Sequence, residues 1–276
     1  MMRKPFTNTP LKRWMGLGML LGLLVGLVVQ APARWLSEGV ATASLQRVRL
    51  LNPQGTVWQG SADWTLSDGS ASTSVSSAWM TRLPTRVQWQ IAPSVDLQSW
   101  SLGLRLSISS ACCTALPWQI FVAPTWQGLR VSSNDHVSQW PATWLVGLGA
   151  PWNTVQADGQ LHLRTQHLQW LQPWSATAHG NLSGLAELQW LQLSTRLSTL
   201  RPLGNYQVRV TGGDTMQVDL TTLEGSLQLQ GHGEWLQGRL RFRGEAKAQT
   251  DAEAALSNLL NVLGQRRGNV SFMELG

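Results

Sequence analysis

The sequence predicts an all-β protein: an extended antiparallel sheet, with an N-terminal transmembrane helix before it and one C-terminal α-helix near its end. Three observations predict this class. Apolar and polar residues alternate with a period of two after residue 45, turn-forming residues recur at short intervals, and 26 Gly with 12 Pro are many for a helical protein. The strands form a meander, and two sub-sheets or a sheet curled into a groove also fit this pattern.

An uncharged apolar run, residues 14–33, predicts the transmembrane helix, because about 20 residues of α-helix span the hydrocarbon core of a bilayer. Basic residues lie on its N-terminal side, so the positive-inside rule places residues 1–13 in the cytoplasm and residues 34–276 on the other side of the membrane. A cleaved signal peptide is the alternative, because Ala31, Pro32 and Ala33 match the small-x-small cleavage pattern.

The net charge of +6 comes mostly from that short tail. Arg3, Lys4, Lys12 and Arg13 precede the apolar run, and without them 17 basic residues oppose 15 acidic ones. The high isoelectric point therefore does not indicate a nucleic-acid partner.

Alternating segments describe strands with one buried and one wetted face. Met216–Leu220 and Leu240–Phe242 are examples, and the charged residues around Phe242 fall on the opposite face from it. A stretch rich in Pro and Trp, residues 140–155, interrupts the alternation. It is a candidate boundary between two sub-sheets.

One helix is predicted late in the chain. Thr250 and Glu253 have the spacing of a capping box, and leucines then follow at helical spacing: Leu256, Leu259, Leu260 and Leu263. Gly264 is placed to end the helix in a left-handed conformation, and residues 269–275 predict a final strand.

The sequence gives no sign of catalytic, cofactor or metal chemistry. None of the five histidines has a carboxylate or a nucleophile at a recognisable spacing, and the Asp and Glu residues are expected on solvent-facing positions. The adjacent Cys112 and Cys113 fit a vicinal disulfide, a pair of thiols or a link to another subunit, and we expect their role to be structural or incidental. We expect most of the 16 tryptophans to fill the core, with an interface, a sugar site or an apolar groove as alternatives for a subset.

Four short motifs occur in order. They are Gly55-Thr56-Val57-Trp58-Gln59-Gly60-Ser61-Ala62, Val87-Gln88-Trp89-Gln90-Ile91-Ala92-Pro93, Leu203-Gly204-Asn205-Tyr206, and the leucine-rich segment 259–264. Together with the apolar run before them, these motifs resemble the pattern of the type II secretion system protein N family. The motif residues, which we expect to be structural, are Gly55, Thr56, Trp58, Gly60, Trp89, Pro93, Gly204 and Tyr206.

The resemblance implies a non-enzymatic protein of the inner membrane with a single anchor and a periplasmic β-domain. Its implied role is accessory: it supports the export of folded proteins across the outer membrane. The implied partners are other inner-membrane and periplasmic subunits of the secretion machinery. The alternative is a periplasmic lipid-handling protein, in which the apolar face of the sheet forms a groove for lipid.

Overall fold

The computed structural model describes residues 9–69, 80–96, 100–175, 179–236 and 238–276. The first eight residues of the predicted cytoplasmic tail lie outside the described residues. The chain begins with two helices, α1 (Thr9–Val29) and α2 (Ala33–Ala43). The helix predicted over 14–33 therefore ends at Val29, because Pro32 pairs with Thr56 of the sheet in an isolated bridge. Within the described residues, no helix combines the length and the apolar character that crossing a membrane requires.

Sixteen strands of the described chain form one sheet, and all of the strand pairs are antiparallel. The strands are β1 (Val48–Gly55), β2 (Gln59–Ser67), β3 (Met80–Arg82), β4 (Val87–Asp96), β5 (Ser101–Ser110), β6 (Trp118–Pro124), β7 (Gly128–Ser133), β8 (His136–Pro141), β9 (Asp158–Pro173), β10 (Asn181–Ser194), β11 (Gly204–Thr211), β12 (Met216–Gly225), β13 (Leu227–Leu236), β14 (Arg239–Ala248), β15 (Gln265–Arg267) and β16 (Val270–Leu275). The all-β prediction is confirmed.

The order across the sheet is nearly the order along the chain. The interruption at 140–155 contains a 3₁₀-helix (Ala142–Leu148) and the one-turn α3 (Trp152–Val155), but β8 and β9 on either side of it pair with each other. The described strands therefore form one continuous sheet rather than two sub-sheets.

One face of the sheet is apolar. The registers place Trp89, Ile108 and Trp118 side by side on β4, β5 and β6, and Leu188, Val208 and Leu220 side by side on β10, β11 and β12. The other face is polar, and a second set of neighbours shows it: Gln189, Gln207, Thr221, Gln230 and Glu245. This alternation is what a period of two produces in an antiparallel sheet.

Three groups of residues cover parts of the apolar face. Leu36 and Val40 of α2 pack on the strands nearest the N-terminus, and α4 (Glu253–Leu263) packs on the last strands. Between them, the rings of Trp64, Trp140 and Trp144 stack, with centroids 5.7–6.5 Å apart.

We call the edge at which β4, β6 and β9 end the upper edge, and the opposite one the lower edge. The 3₁₀-helix and α4 follow the lower ends of β8 and β14, so the cover is concentrated toward the lower edge. Toward the upper edge, Val95, Leu102 and Leu104 on the apolar face are exposed.

The C-terminal helix has the predicted leucine stripe but not the predicted ends. Leu256, Leu259 and Leu260 are buried, whereas the helix begins at Glu253 and its N-cap residue, Ala252, makes no side-chain cap. The capping-box prediction is wrong because Ala252 is drawn into the core beside Leu256.

The left-handed end predicted at Gly264 is also wrong, because the φ of Gly264 is 178°, which is extended backbone. Beyond it the chain adds β15 to the sheet, and Arg266 folds back to donate to Ser257 on α4. The predicted final strand is present as β16.

A pair of substitutions tests the cover that α4 provides. Leu256→Ala should lower the free energy of unfolding by about 2–5 kcal/mol, because it empties a fully buried site between helix and sheet. Val262→Ala, at an exposed position of the same helix, should change it by less than about 0.5 kcal/mol. Denaturant titration followed by tryptophan fluorescence measures both, and equal effects would contradict this packing.

Candidate functional site

The first motif forms the tight connection between β1 and β2. The Thr56 amide donates to the Gln59 carbonyl at 2.8 Å, and the Gln59 amide donates to the Thr56 hydroxyl oxygen at 3.1 Å. Gly55 enters the turn with a φ of +88°, a region that residues with a side chain rarely adopt. Thr56 and Gly55 therefore have distinct roles in the turn: one supplies its hydrogen bonds and the other its backbone conformation.

Gly60 leaves room for an indole ring. It pairs with Trp89 on β4, and a Cβ atom at Gly60 would lie 2.5 Å from the Cζ2 atom of Trp89 and 2.5 Å from the Gln54 carbonyl oxygen. Trp89 is buried, and its indole N–H donates to the Val57 carbonyl at 3.0 Å. The motifs around residues 55–62 and 87–93 are therefore two sides of one packing arrangement.

The same turn holds the end of the first helix. The Trp58 indole N–H donates to the Val28 carbonyl in the last turn of α1 at 2.8 Å, where backbone carbonyls lack a full set of helical partners. The Val57 amide donates to the Ala31 carbonyl at 2.8 Å, and the Pro32–Thr56 bridge completes the attachment. We call this arrangement, residues 28–32 against residues 55–60, the joint.

The second helix fastens the joint from the apolar face. The Ser37 hydroxyl donates to the Leu50 carbonyl at 2.7 Å, and Leu36 and Val40 pack with Leu50 and Trp89. Both helices are thus connected to the first strands, α1 by an indole and a backbone hydrogen bond at its end and α2 by its apolar side.

Pro93 continues the pattern just beyond the joint. The Ile91 amide points toward β2 and donates to the Trp58 carbonyl, so the nitrogen of Pro93, two residues on, faces the same side. β2 begins at Gln59, opposite Gln90, so the part of β4 beyond Gln90 has no partner on β2. A proline, which has no N–H to donate, therefore suits this open stretch of strand edge.

Gly204 and Tyr206 belong to a different region. Tyr206 is buried beneath α4, where its hydroxyl donates to the Leu227 carbonyl at 2.9 Å, and burial raises the pKa of this phenol far above its usual range. Gly204 begins β11 with a φ of +154°, opposite Gly225. The structure thus brings four of the eight motif residues together in the joint, with Trp89 packed against it and Pro93 just beyond it, and places the other two in the core under α4.

The cysteine pair lies in the connection between β5 and β6. The two Sγ atoms are 1.93 Å apart, the length of a disulfide bond. Cys113 is buried against Leu83 and Val87, and Cys112 is exposed. The pair belongs to the core around the tryptophan stack and not to the joint.

A buried carboxylate was not expected from the sequence. Asp63 on β2 is 2% exposed, so the expectation that the Asp residues face solvent is wrong here. Asn52 donates to one carboxylate oxygen of Asp63 at 3.0 Å, and Arg82 lies 2.9 Å from the other. The hydrogen bond from Asn52 is the largest cause that lowers the pKa of Asp63, and Arg82 and Arg86 add to it against the opposing effect of burial. No local pattern signalled this role, because the partners come from three other segments.

A second polar cluster lies further across the sheet, on its polar face. His232 on β13 lies directly across from Asp219 on β12, with Nδ1 and Oδ1 2.7 Å apart, and this hydrogen bond raises the pKa of His232. Glu234 is 3.8 Å from the other ring nitrogen. All three side chains are exposed, as in an ordinary cross-strand charged pair. Among the described residues no group of three or more His, Cys, Asp or Glu side chains is arranged to hold a metal ion.

Comparison with known proteins gives one match. The family model described as Type II secretion system (T2SS), protein N matches residues 46–273, which cover the sheet from the residues just before β1 into β16. No curated protein and no solved structure matches the chain.

Substitution of Gly60 tests the packing of the two motifs. Gly60→Ala should lower the free energy of unfolding by about 1–3 kcal/mol, because the new methyl group has to displace the Trp89 ring or the strand backbone. Gly213→Ala, where a Cβ atom meets only ordinary contact, should change it by less than about 0.5 kcal/mol. Thermal unfolding followed by near-UV circular dichroism compares the two, and indistinguishable midpoints would show that Trp89 does not pack over Gly60.

Asp63 should make stability depend on acid pH. Because its pKa is lowered in the folded state, its contribution is complete above the unfolded pKa of about 4 and is lost as pH falls through the folded pKa. Asp63→Asn should therefore cost about 1–3 kcal/mol at pH 7, and the difference from the unsubstituted protein should shrink below about pH 4. Asp219→Asn, at an exposed carboxylate, is the control. Urea titrations at several pH values measure the effect, and a gap that stayed constant with pH would contradict it.

Proposed function

The chain belongs to the type II secretion system protein N family, and on that premise we propose that it is a non-enzymatic accessory component of the secretion machinery, anchored in the inner membrane. Its sheet occupies the periplasm and contacts other subunits there. Membership in the family ties the protein to type II secretion; the anchor, the periplasmic placement and the contacts are our proposal. The observation that carries it is the joint, which fixes an apolar helix to the sheet through the motif residues.

The anchor is the apolar run of α1. Side chains from Trp14 to Val29 are exposed and almost all apolar, so nothing in the described protein covers them. A long apolar surface without a protein cover needs another apolar environment. Basic residues on the N-terminal side of this run favour a cytoplasmic N-terminus, with the sheet on the periplasmic side.

The joint would let this anchor position the sheet. A flexible tether would leave the sheet free to turn about the membrane. Here one indole and one backbone hydrogen bond, a bridge and the packing of α2 hold the end of α1 against β1 and β2. A fixed attachment suits a component that presents a surface to neighbouring subunits in a defined direction. This role needs no catalytic group.

The uncovered part of the apolar face supports a second candidate, a lipid-handling protein. Exposed Val95, Leu102 and Leu104 lie on that face toward the upper edge, where an acyl chain would find apolar contact. Mass spectrometry of lipids that co-purify with the full chain after gentle detergent extraction distinguishes this candidate. A stoichiometric lipid, without secretion subunits among in-cell crosslinks, would favour it over the first.

A substitution at the joint tests the proposed role. Trp58→Phe keeps an aromatic ring but removes the N–H that bonds Val28, so export of a folded substrate should fall while the melting of the sheet changes little, by about 1 kcal/mol or less. Trp190→Phe is the matched control, because it removes an indole hydrogen bond to the Asp158 carbonyl away from the joint. Export should stay normal in that variant.

In-cell crosslinking from the sheet, followed by mass spectrometry, provides the second readout. We expect adducts with inner-membrane or periplasmic subunits of the secretion machinery in cells that carry the unsubstituted chain. Normal export by Trp58→Phe, together with crosslinks to no secretion subunit, would overturn the proposal.

A further inference from the structure

Three exposed tryptophans lie in neighbouring turns at the upper edge. Trp100 lies directly before β5, Trp126 lies between β6 and β7, and Trp174 follows β9. Their exposed fractions are 85% for Trp100 and 61% for Trp174, and Trp126 is fully exposed. The strands β5, β6, β7 and β9 are consecutive neighbours in the sheet, so these three turns stand side by side. We call the three residues the tryptophan edge.

Two of these turns are bonded to each other. The Trp174 indole N–H donates to the Thr125 carbonyl at 2.8 Å, and the Trp174 amide donates to the Gln127 carbonyl at 3.3 Å. Thr125 closes its own turn by accepting from the Gly128 amide at 3.2 Å. Trp126 is therefore presented to solvent by a turn that is fixed on both sides.

The three turns of the tryptophan edge contain no charged residue of their own, and Asp96 at the end of β4 is the charged residue next to the first turn. The sequence contains no Lys, Arg, Asp or Glu at residues 97–100, 125–127 or 174–180. Directly below, Val95 and Leu102 on the apolar face are more than half exposed. Further from the joint, charged residues occur at the upper edge as Asp214 in the β11–β12 turn and Arg239 at the start of β14. Exposed turns without charge are unusual, because such turns are normally the most polar part of a domain.

The tryptophan edge and the anchor emerge on the same side of the sheet. The β1–β2 turn, which holds Val28 of α1, opens toward the upper edge, because β2 begins at Gln59 opposite Gln90 and β4 continues upward to Asp96. The end of α1 and the turns that carry Trp100, Trp126 and Trp174 therefore lie toward the same ends of the strands, where one bilayer can meet both.

We propose that the tryptophan edge rests in the headgroup layer of the bilayer that α1 enters, and so forms a second contact between the sheet and the membrane. The inference rests on the anchoring proposed above. Indole rings favour this layer because their apolar body and their N–H group suit the boundary between hydrocarbon and water. Together with the joint, three ring contacts spread over β5 to β9 fix the orientation of the sheet relative to the membrane, so that the sheet does not rotate about its anchor.

Photo-crosslinking of the full chain in native membranes tests this contact. Trp126→p-benzoylphenylalanine places a reactive aromatic group at a fully exposed position, so folding is not disturbed. Leu21→p-benzoylphenylalanine, in the exposed apolar part of α1, reports the anchor itself. Leu223→p-benzoylphenylalanine is the matched control, because Leu223 is an exposed apolar residue toward the lower end of β12.

We expect mass spectrometry after irradiation to find phospholipid adducts at positions 21 and 126 and none at position 223. If position 21 gives lipid adducts while position 126 gives only protein adducts or no adduct, the membrane contact of the tryptophan edge is overturned. The proposed anchor is unaffected by that result. Absence of lipid adducts at 21 would remove the anchor and the inference with it. Equal lipid labelling at 223 would also overturn it, because the contact would then not be specific to the upper edge.

Discussion

The antiparallel sheet turns every second side chain to the same face, and across almost its whole width that face is apolar. Water has to be kept from as much of it as possible, since the burial of apolar area is the main favourable term in folding. Three elements each cover part of this face. α2 covers the first strands, the connection that carries Trp140 and Trp144 covers the strands around Trp64, and α4 covers the last strands. The tertiary structure is therefore one sheet whose apolar face is covered in three separate places.

The residues of the first two motifs are explained by the packing under α2. Trp89 has to lie flat across β2 to meet α2, which leaves room only for glycine at position 60. The turn that returns the chain at Gly55 then places Trp58 and Val57 where the end of α1 needs donors. One packing requirement thus links a short sequence pattern to the way in which the N-terminal helix joins the sheet.

Much of this fold could be predicted, because its main signals are local. The alternation in Met216–Leu220 and Leu240–Phe242 depends only on the pleat of a strand, and the leucine spacing in 256–263 depends only on the helical repeat. α2 was not predicted, and neither was the buried Asp63. The partners of Asp63 come from β1, β3 and the loop that follows β3, so no pattern within β2 marks it. The burial of individual tryptophans was not predictable either. Composition does not distinguish the stacked Trp64 from the exposed Trp126, because the burial of each ring depends on where its strand or turn lies in the sheet.

The order of the strands has a consequence for how the chain acquires its structure. Among the described strands, none pairs with another that is more than two places away along the chain. Most newly made strands therefore find a partner already present, and the others, such as β8 and β15, pair with the next strand to be made. The entropy of closing long loops is small at each step. In a chain that emerges with its N-terminus first, the strands would add to the sheet one after another, starting at the joint. The helix α4 is made after β14 and before β15 and β16, and the core that it covers begins with Leu203 and Tyr206. The apolar side of β11 therefore stays unprotected until the chain has been made as far as α4.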